Sequence, residues 1–81
     1  MKIYDYDGKK NLCGEKIRSA RKAMKLSQQE LAARLQVEGI NLERDSISRI
    51  EIGTRFVADF ELKTLCKILN VSADTLLDLK A

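Results

Sequence analysis

Arg44, Asp45, Ser48 and Arg49 fall at i, i+1, i+4 and i+5. If this stretch is helical, Ile47 and Ile50 take the opposite side and the four polar groups form one outward strip. Two guanidiniums, a carboxylate and a hydroxyl suit base edges in a major groove, which admits one α-helix. Arg pairs bidentately with guanine, Asp accepts from cytosine N4, and Ser serves several bases. Gln28 and Gln29 stand where the preceding helix begins, and its free N–H groups favour a phosphate. Thr54 and Arg55 follow the strip and add donors within reach of a nucleic-acid backbone. A polar, mixed-charge outer face also belongs to any amphipathic helix, so periodicity alone leaves both readings open.

Other chemistry has little to work with. The 81 residues include no His, no Pro and no Trp, and only two Cys. A His-based acid–base site and a Cys/His zinc site are therefore excluded. No paired-carboxylate pattern, Gly-rich phosphate loop or nucleophile motif is present, so the sequence predicts no enzyme, no metal site and no cofactor. Cys13 and Cys66 lie far apart in sequence and read as small hydrophobes. No apolar run approaches the length of a membrane span, and Met1 to Asp7 lacks the apolar core of a signal peptide. A cytoplasmic protein without membrane contact is expected. The net charge of +3 is carried by the N-terminal third: residues 1–25 hold eight Lys/Arg and three Asp/Glu, whereas residues 26–55 hold four and five.

The elements that must position the strip read as one all-α domain of five short helices over residues 12–81, preceded by an arm at 1–11. In the arm, Ile3, Tyr4 and Tyr6 alternate with charge, and Asp7-Gly8 signals a turn. It is either a flexible terminus or a short strand, with Tyr4 and Tyr6 available to dock on a partner subunit. The first helix is expected from about Leu12 to Met24, with Ile17, Ala20, Arg21 and Met24 on one face. An arginine on that face is anomalous. Ser27-Gln28-Gln29-Glu30 is a capping box, with Leu26 and Leu31 as a hydrophobic staple. Leu31, Ala32 and Leu35 point inward. Gly39 is a natural left-handed stop, which brings Ile40 onto Leu35. The third helix is expected over about 43–52 and ends at Gly53, with Ile47, Ile50 and Glu51 inward. A fourth starts near Asp59 and buries Leu62, Leu65, Cys66 and Leu69. A fifth starts at Ser72 and runs through Leu76, Leu77 and Leu79 to the end of the chain.

From Gly14 to Leu79 the sequence resembles the phage-repressor-like (Xre-type, Cro-like) helix-turn-helix transcriptional regulators. Ile17-Arg18, Arg21-Lys22 and Leu26-Ser27-Gln28-Gln29-Glu30-Leu31-Ala32 carry the resemblance first. Ser46-Ile47-Ser48-Arg49-Ile50-Glu51, Gly53 and Arg55 follow, then Leu65 to Ser72 and Leu76-Leu77. The resemblance implies a five-helix, lambda-repressor-like DNA-binding fold with a helix-turn-helix. It implies a recognition helix over about 43–52, with Arg44, Asp45, Ser48 and Arg49 on bases. Gln28, Gln29, Thr54 and Arg55 would approach phosphates, and Arg21 would form a structural ion pair with Glu51. One departure stands out: Gln36 to Glu43 is several residues longer than the tight turn common in the family. Helix two would extend toward Glu38, Ile40 and Leu42 would plug the core, and either Glu43 or Asn41 would cap helix three.

The expected function is sequence-specific binding of double-stranded DNA by a small transcriptional regulator, a repressor acting as a homodimer. The alternative is an antitoxin-like protein-interaction module on the same scaffold. Glu43 and Asp45 beside the strip, together with the low net charge, motivate that alternative.

Overall fold

The computed structural model describes residues 5–79. Ile3 and Tyr4, singled out in the arm, lie outside the described residues. Five helices follow in order: α1 (Gly14–Ala23), α2 (Gln28–Val37), α3 (Arg44–Ile52), α4 (Asp59–Leu69) and α5 (Ala73–Leu77). No helix among the described residues is long and apolar enough to cross a membrane. Ile17 from α1, Leu31 and Leu35 from α2, Ile47 and Ile50 from α3, Leu65 from α4 and Leu76 from α5 meet in one core. Each of these seven is at most 1% exposed.

Local chemistry accounts for the helix starts. Ser27 Oγ accepts from the Glu30 N–H at 3.0 Å, and Glu30 Oε1 accepts from the Ser27 N–H at 2.8 Å. These reciprocal bonds, the backbone contribution first, lower the Glu30 pKa. Ser72 Oγ accepts from the Thr75 N–H and caps α5 in the same way. At α4 Ala58 offers no acceptor, but Glu61 reaches back to its N–H at 2.9 Å.

All five helices stop by one device, a left-handed residue whose successor donates to the carbonyl five back. The left-handed residues are Lys25, Gly39, Gly53, Asn70 and Asp78. The closing bonds are Leu26 N–H to Arg21 O, Ile40 to Leu35, Thr54 to Arg49, Val71 to Cys66 and Leu79 to Asp74. The last of these corrects the expected α5: it ends at Leu77, and Leu79 is exposed. On α4, Glu61 is buried, while Leu62 and Cys66 are only partly covered. Burial pushes up the thiol pKa of Cys13 and of Cys66.

The start of α1 also differs. Asn11 Oδ1 accepts from the Gly14 N–H at 2.8 Å, so the helix begins at Gly14 and Leu12 is left exposed. The Asn11 amide donates to the Ile50 carbonyl at 3.0 Å and to the Arg55 carbonyl at 2.8 Å. Tyr6 and Lys9 exchange backbone bonds around a tight turn at Asp7-Gly8, and the Lys10 N–H donates to Gly53 O at 2.7 Å. Lys9, Lys10 and Asn11 thus rest against the C-terminal end of α3, while residues 5–8 are exposed. Gly14 lies where α1 crosses α3, and a Cβ there would overlap the Ile50 carbonyl oxygen. Because that obstacle is backbone, Gly14→Ala is expected to cost about 1–3 kcal/mol. A urea melt is the check; an unchanged midpoint would show that α1 can move aside freely.

Candidate nucleic-acid interface

The site is built on α3. Its inner face is fixed by Ile47, Ile50 and Leu42, each no more than 3% exposed. Glu51, also buried, meets Arg21 of α1 in a bidentate pair. Arg21 Nε donates to Glu51 Oε2 at 2.7 Å, and Nη2 donates to Oε1 at 2.9 Å. Arg21 Nη1 donates to Leu26 O at 2.8 Å, which ties the end of α1 into the same knot. The bonds to Glu51 raise the Arg21 pKa despite its burial, so the guanidinium stays charged.

With that face anchored, α3 turns its other side outward. Arg44, Asp45 and Arg49 are exposed, and Ser48 is half-buried. Arg49 Nη2 donates to Asp45 Oδ2 at 3.1 Å, one helical turn apart. Gln28, the first residue of α2, donates through Nε2 to Glu51 Oε1 at 3.1 Å. The amide therefore bridges the start of α2 to the Arg21–Glu51 pair and keeps its second N–H. Beside it a groove of about 390 Å³ is lined by Lys9, Glu15, Arg18, Gln28, Ser48, Glu51 and Ile52. Gln29 is exposed on the other flank of α2.

Residues 54 and 55 are differently placed. Thr54 Oγ1 donates to Arg49 O at 3.3 Å and so closes the end of α3. The Arg55 guanidinium donates to both carboxylate oxygens of Glu61, at 3.0 and 3.2 Å, and to Phe56 O at 2.8 Å. The Thr54 hydroxyl proton and three of the five Arg55 guanidinium N–H groups are thus engaged within the molecule, and Arg55 keeps two donors. Nothing at Arg55 in sequence announced this. The signal lay at Glu61, an acid at the third position of α4 whose backward reach meets whatever precedes the helix.

Arg55 and Glu61 brace the loop that follows α3. Burial pushes the Glu61 carboxyl up, but the hydrogen bonds from Arg55 and Ala58 and the Arg55 charge outweigh it. Its folded pKa lies below the ordinary 4.5. The stabilisation is fully present above that ordinary value and is lost as pH falls through the lower folded one. Glu61→Gln is therefore expected to lower the melting temperature at neutral pH and to flatten the fall below about 4.5. Thermal melts between neutral pH and about 3 are the check; parallel curves for the two proteins would remove Glu61 from the acid response.

Two consecutive helices, α2 and α3, thus meet through a turn anchored by the buried Leu42, with Gln29, Arg44, Asp45 and Arg49 exposed on their outer side. Comparison with known families matches residues 14–81 to the helix-turn-helix domain. The chain belongs to the helix-turn-helix domain family. No curated protein and no solved structure matched it. The helix-turn-helix is the architecture of a DNA-binding regulator. The connection between α2 and α3 is long, covering residues 38–43. Glu43 is the N-cap of α3 and makes no side-chain cap bond. Asn41, the better cap by residue type, is not used, because the Leu42 N–H donates to Ile40 O and puts Asn41 at the apex of a γ-turn.

Proposed function

We propose that the protein is a phage-repressor-type (Xre-type, Cro-like) transcriptional regulator that binds double-stranded DNA sequence-specifically and acts as a repressor. The reading rests on one observation: α3 is locked from behind by Ile47, Ile50 and the Arg21–Glu51 pair, and turns Arg44, Asp45, Ser48 and Arg49 outward, with the exposed Ile52 at its end. Arg44, Asp45, Ser48 and Arg49 read base edges in the major groove. Gln28, held by Glu51, aims its free N–H at a phosphate at the positive end of α2, and Gln29 serves the neighbouring phosphate. Arg55 and Thr54 fix the loop and the end of α3, and the two remaining Arg55 donors lie beside the exposed Thr54 for the flanking phosphate.

The working species is a homodimer reading two half-sites about 34 Å apart. Phe60 at the start of α4 and Leu79 after α5 are exposed apolar side chains suited to the subunit contact. The remaining boundary assignment, an arm at 1–11 and a DNA-binding domain at 12–81, fits an arm that rests on the end of α3. Selection of bound sequences from a random duplex library is the decisive experiment. Enrichment of a two-part site with that spacing supports the reading. A library that stays random at moderate salt, or a tight protein partner covering Arg44 and Arg49, sinks it in favour of an interaction module.

A further inference from the structure

The long connection between α2 and α3 builds a surface that the four-residue strip does not include. Its ends are tied inward. Ile40 packs against the core, and Leu42 is 3% exposed within it. The γ-turn between them fixes Asn41 at the apex, and the alternation in–out–in leaves its carboxamide exposed. Opposite stands the flank of α2, where the exposed Gln29, Ala33 and Gln36 border the buried Ala32. The two walls enclose a groove of about 440 Å³, closed at one end by Arg44 and Asp45. Among the described residues, no hydrogen bond uses the side chains of Gln29, Gln36 or Asn41.

Arg44 and Asp45 belong both to the base-reading strip and to this groove, so a duplex seated on the strip runs past Asn41. From Arg49 to Arg44 the strip covers about 7.5 Å at 1.5 Å per residue. That is roughly two base-pair steps of 3.4 Å. Asn41 precedes the α3 N-terminus and lines the same groove as Arg44 and Asp45, which makes it the candidate for the base step next to theirs. A carboxamide offers one donor and one acceptor together, the pattern that matches adenine N7 and N6 in the major groove. A neutral amide has no charge to draw it to phosphates in general, so on this turn it gains most where the base edge fits.

We propose that Asn41 is a specificity-determining residue that reads an adenine at the outer edge of each half-site, and that the lengthened turn widens the site read. The proposal rests on the DNA-binding reading above. Its test is the same duplex selection carried out on the wild-type chain and on Asn41→Ala, with Asn41→Asp as a second variant. Because Asn41 is exposed and makes no side-chain bond, both variants are expected to keep the wild-type melting curve. In Asn41→Ala the outermost preferred position, an A·T pair, should lose its preference of about 5- to 150-fold, while inner positions keep theirs. Asn41→Asp should lose the adenine preference as well. A wild-type site whose profile is unchanged in Asn41→Ala overturns this assignment alone. A wild-type chain that enriches no sequence overturns the assignment together with the function it rests on.

Discussion

Arg21→Ala is expected to cost about 3–5 kcal/mol, because it strands the Glu51 carboxylate in the interior with only Gln28 as a partner. Both side chains of the pair are under 10% exposed, so water cannot replace the lost guanidinium. The variant also frees the Leu26 carbonyl, which Arg21 serves through Nη1. For a chain of this length the loss corresponds to a fall of roughly 15–30 °C in the melting temperature, a large part of the stability of a small domain. The paired change Arg21→Met with Glu51→Leu should recover most of it, since no charge is then left unpaired. Circular-dichroism melts of the three proteins decide the matter. A single variant melting within a few degrees of wild type would show that the pair is dispensable.

The second large effect concerns recognition. Arg49→Ala should relax base choice at one position of the selected site by about 1–3 kcal/mol. Gln28→Ala should weaken binding to all sequences alike. Gln28 is neutral, so its loss should leave the salt dependence of binding unchanged, unlike the loss of a cationic phosphate contact. Asp45 refines the test. It holds Arg49 at 3.1 Å and cancels part of its field over the reading face. The exposed pair adds little stability. Asp45→Ala should therefore leave the melting temperature near wild type, raise affinity for non-cognate DNA and blur the selected site. Arg49→Ala and Gln28→Ala behaving identically across sequences would refute the division of roles.

Much of this design is legible in the residue string where the physics is local. The capping box at Ser27–Glu30, the glycine stops at 39 and 53, and the inward Ile47 and Ile50 each depend on neighbours within a helical turn. The Arg21–Glu51 pairing became readable only through the family resemblance, although an arginine on an apolar face was itself a sign of a buried partner. Three of the five left-handed stops fall on Lys25, Asn70 and Asp78, and at the first two the hydrophobic residue that follows, Leu26 or Val71, docks on the body of the molecule, whereas Leu79 stays exposed. The commitment of Arg55 to Glu61 was hidden for a different reason. It depends on how the loop folds back, which residue type does not dictate. The role of Asn11 was beyond reach, since its partners lie 39 and 44 positions away.

That asparagine has a kinetic consequence. Its bonds to Ile50 and Arg55 cannot form until α3 has reached its place beside α1, and they span most of the chain. They belong to the late side of the folding barrier, where closing a long loop is repaid last. Asn11→Ala is therefore expected to speed unfolding while leaving the refolding rate nearly unchanged, as stopped-flow measurements in urea would read. In time rather than in free energy, the segment ahead of the first helix is a latch: it sets how long the recognition helix stays mounted once it has been put in place.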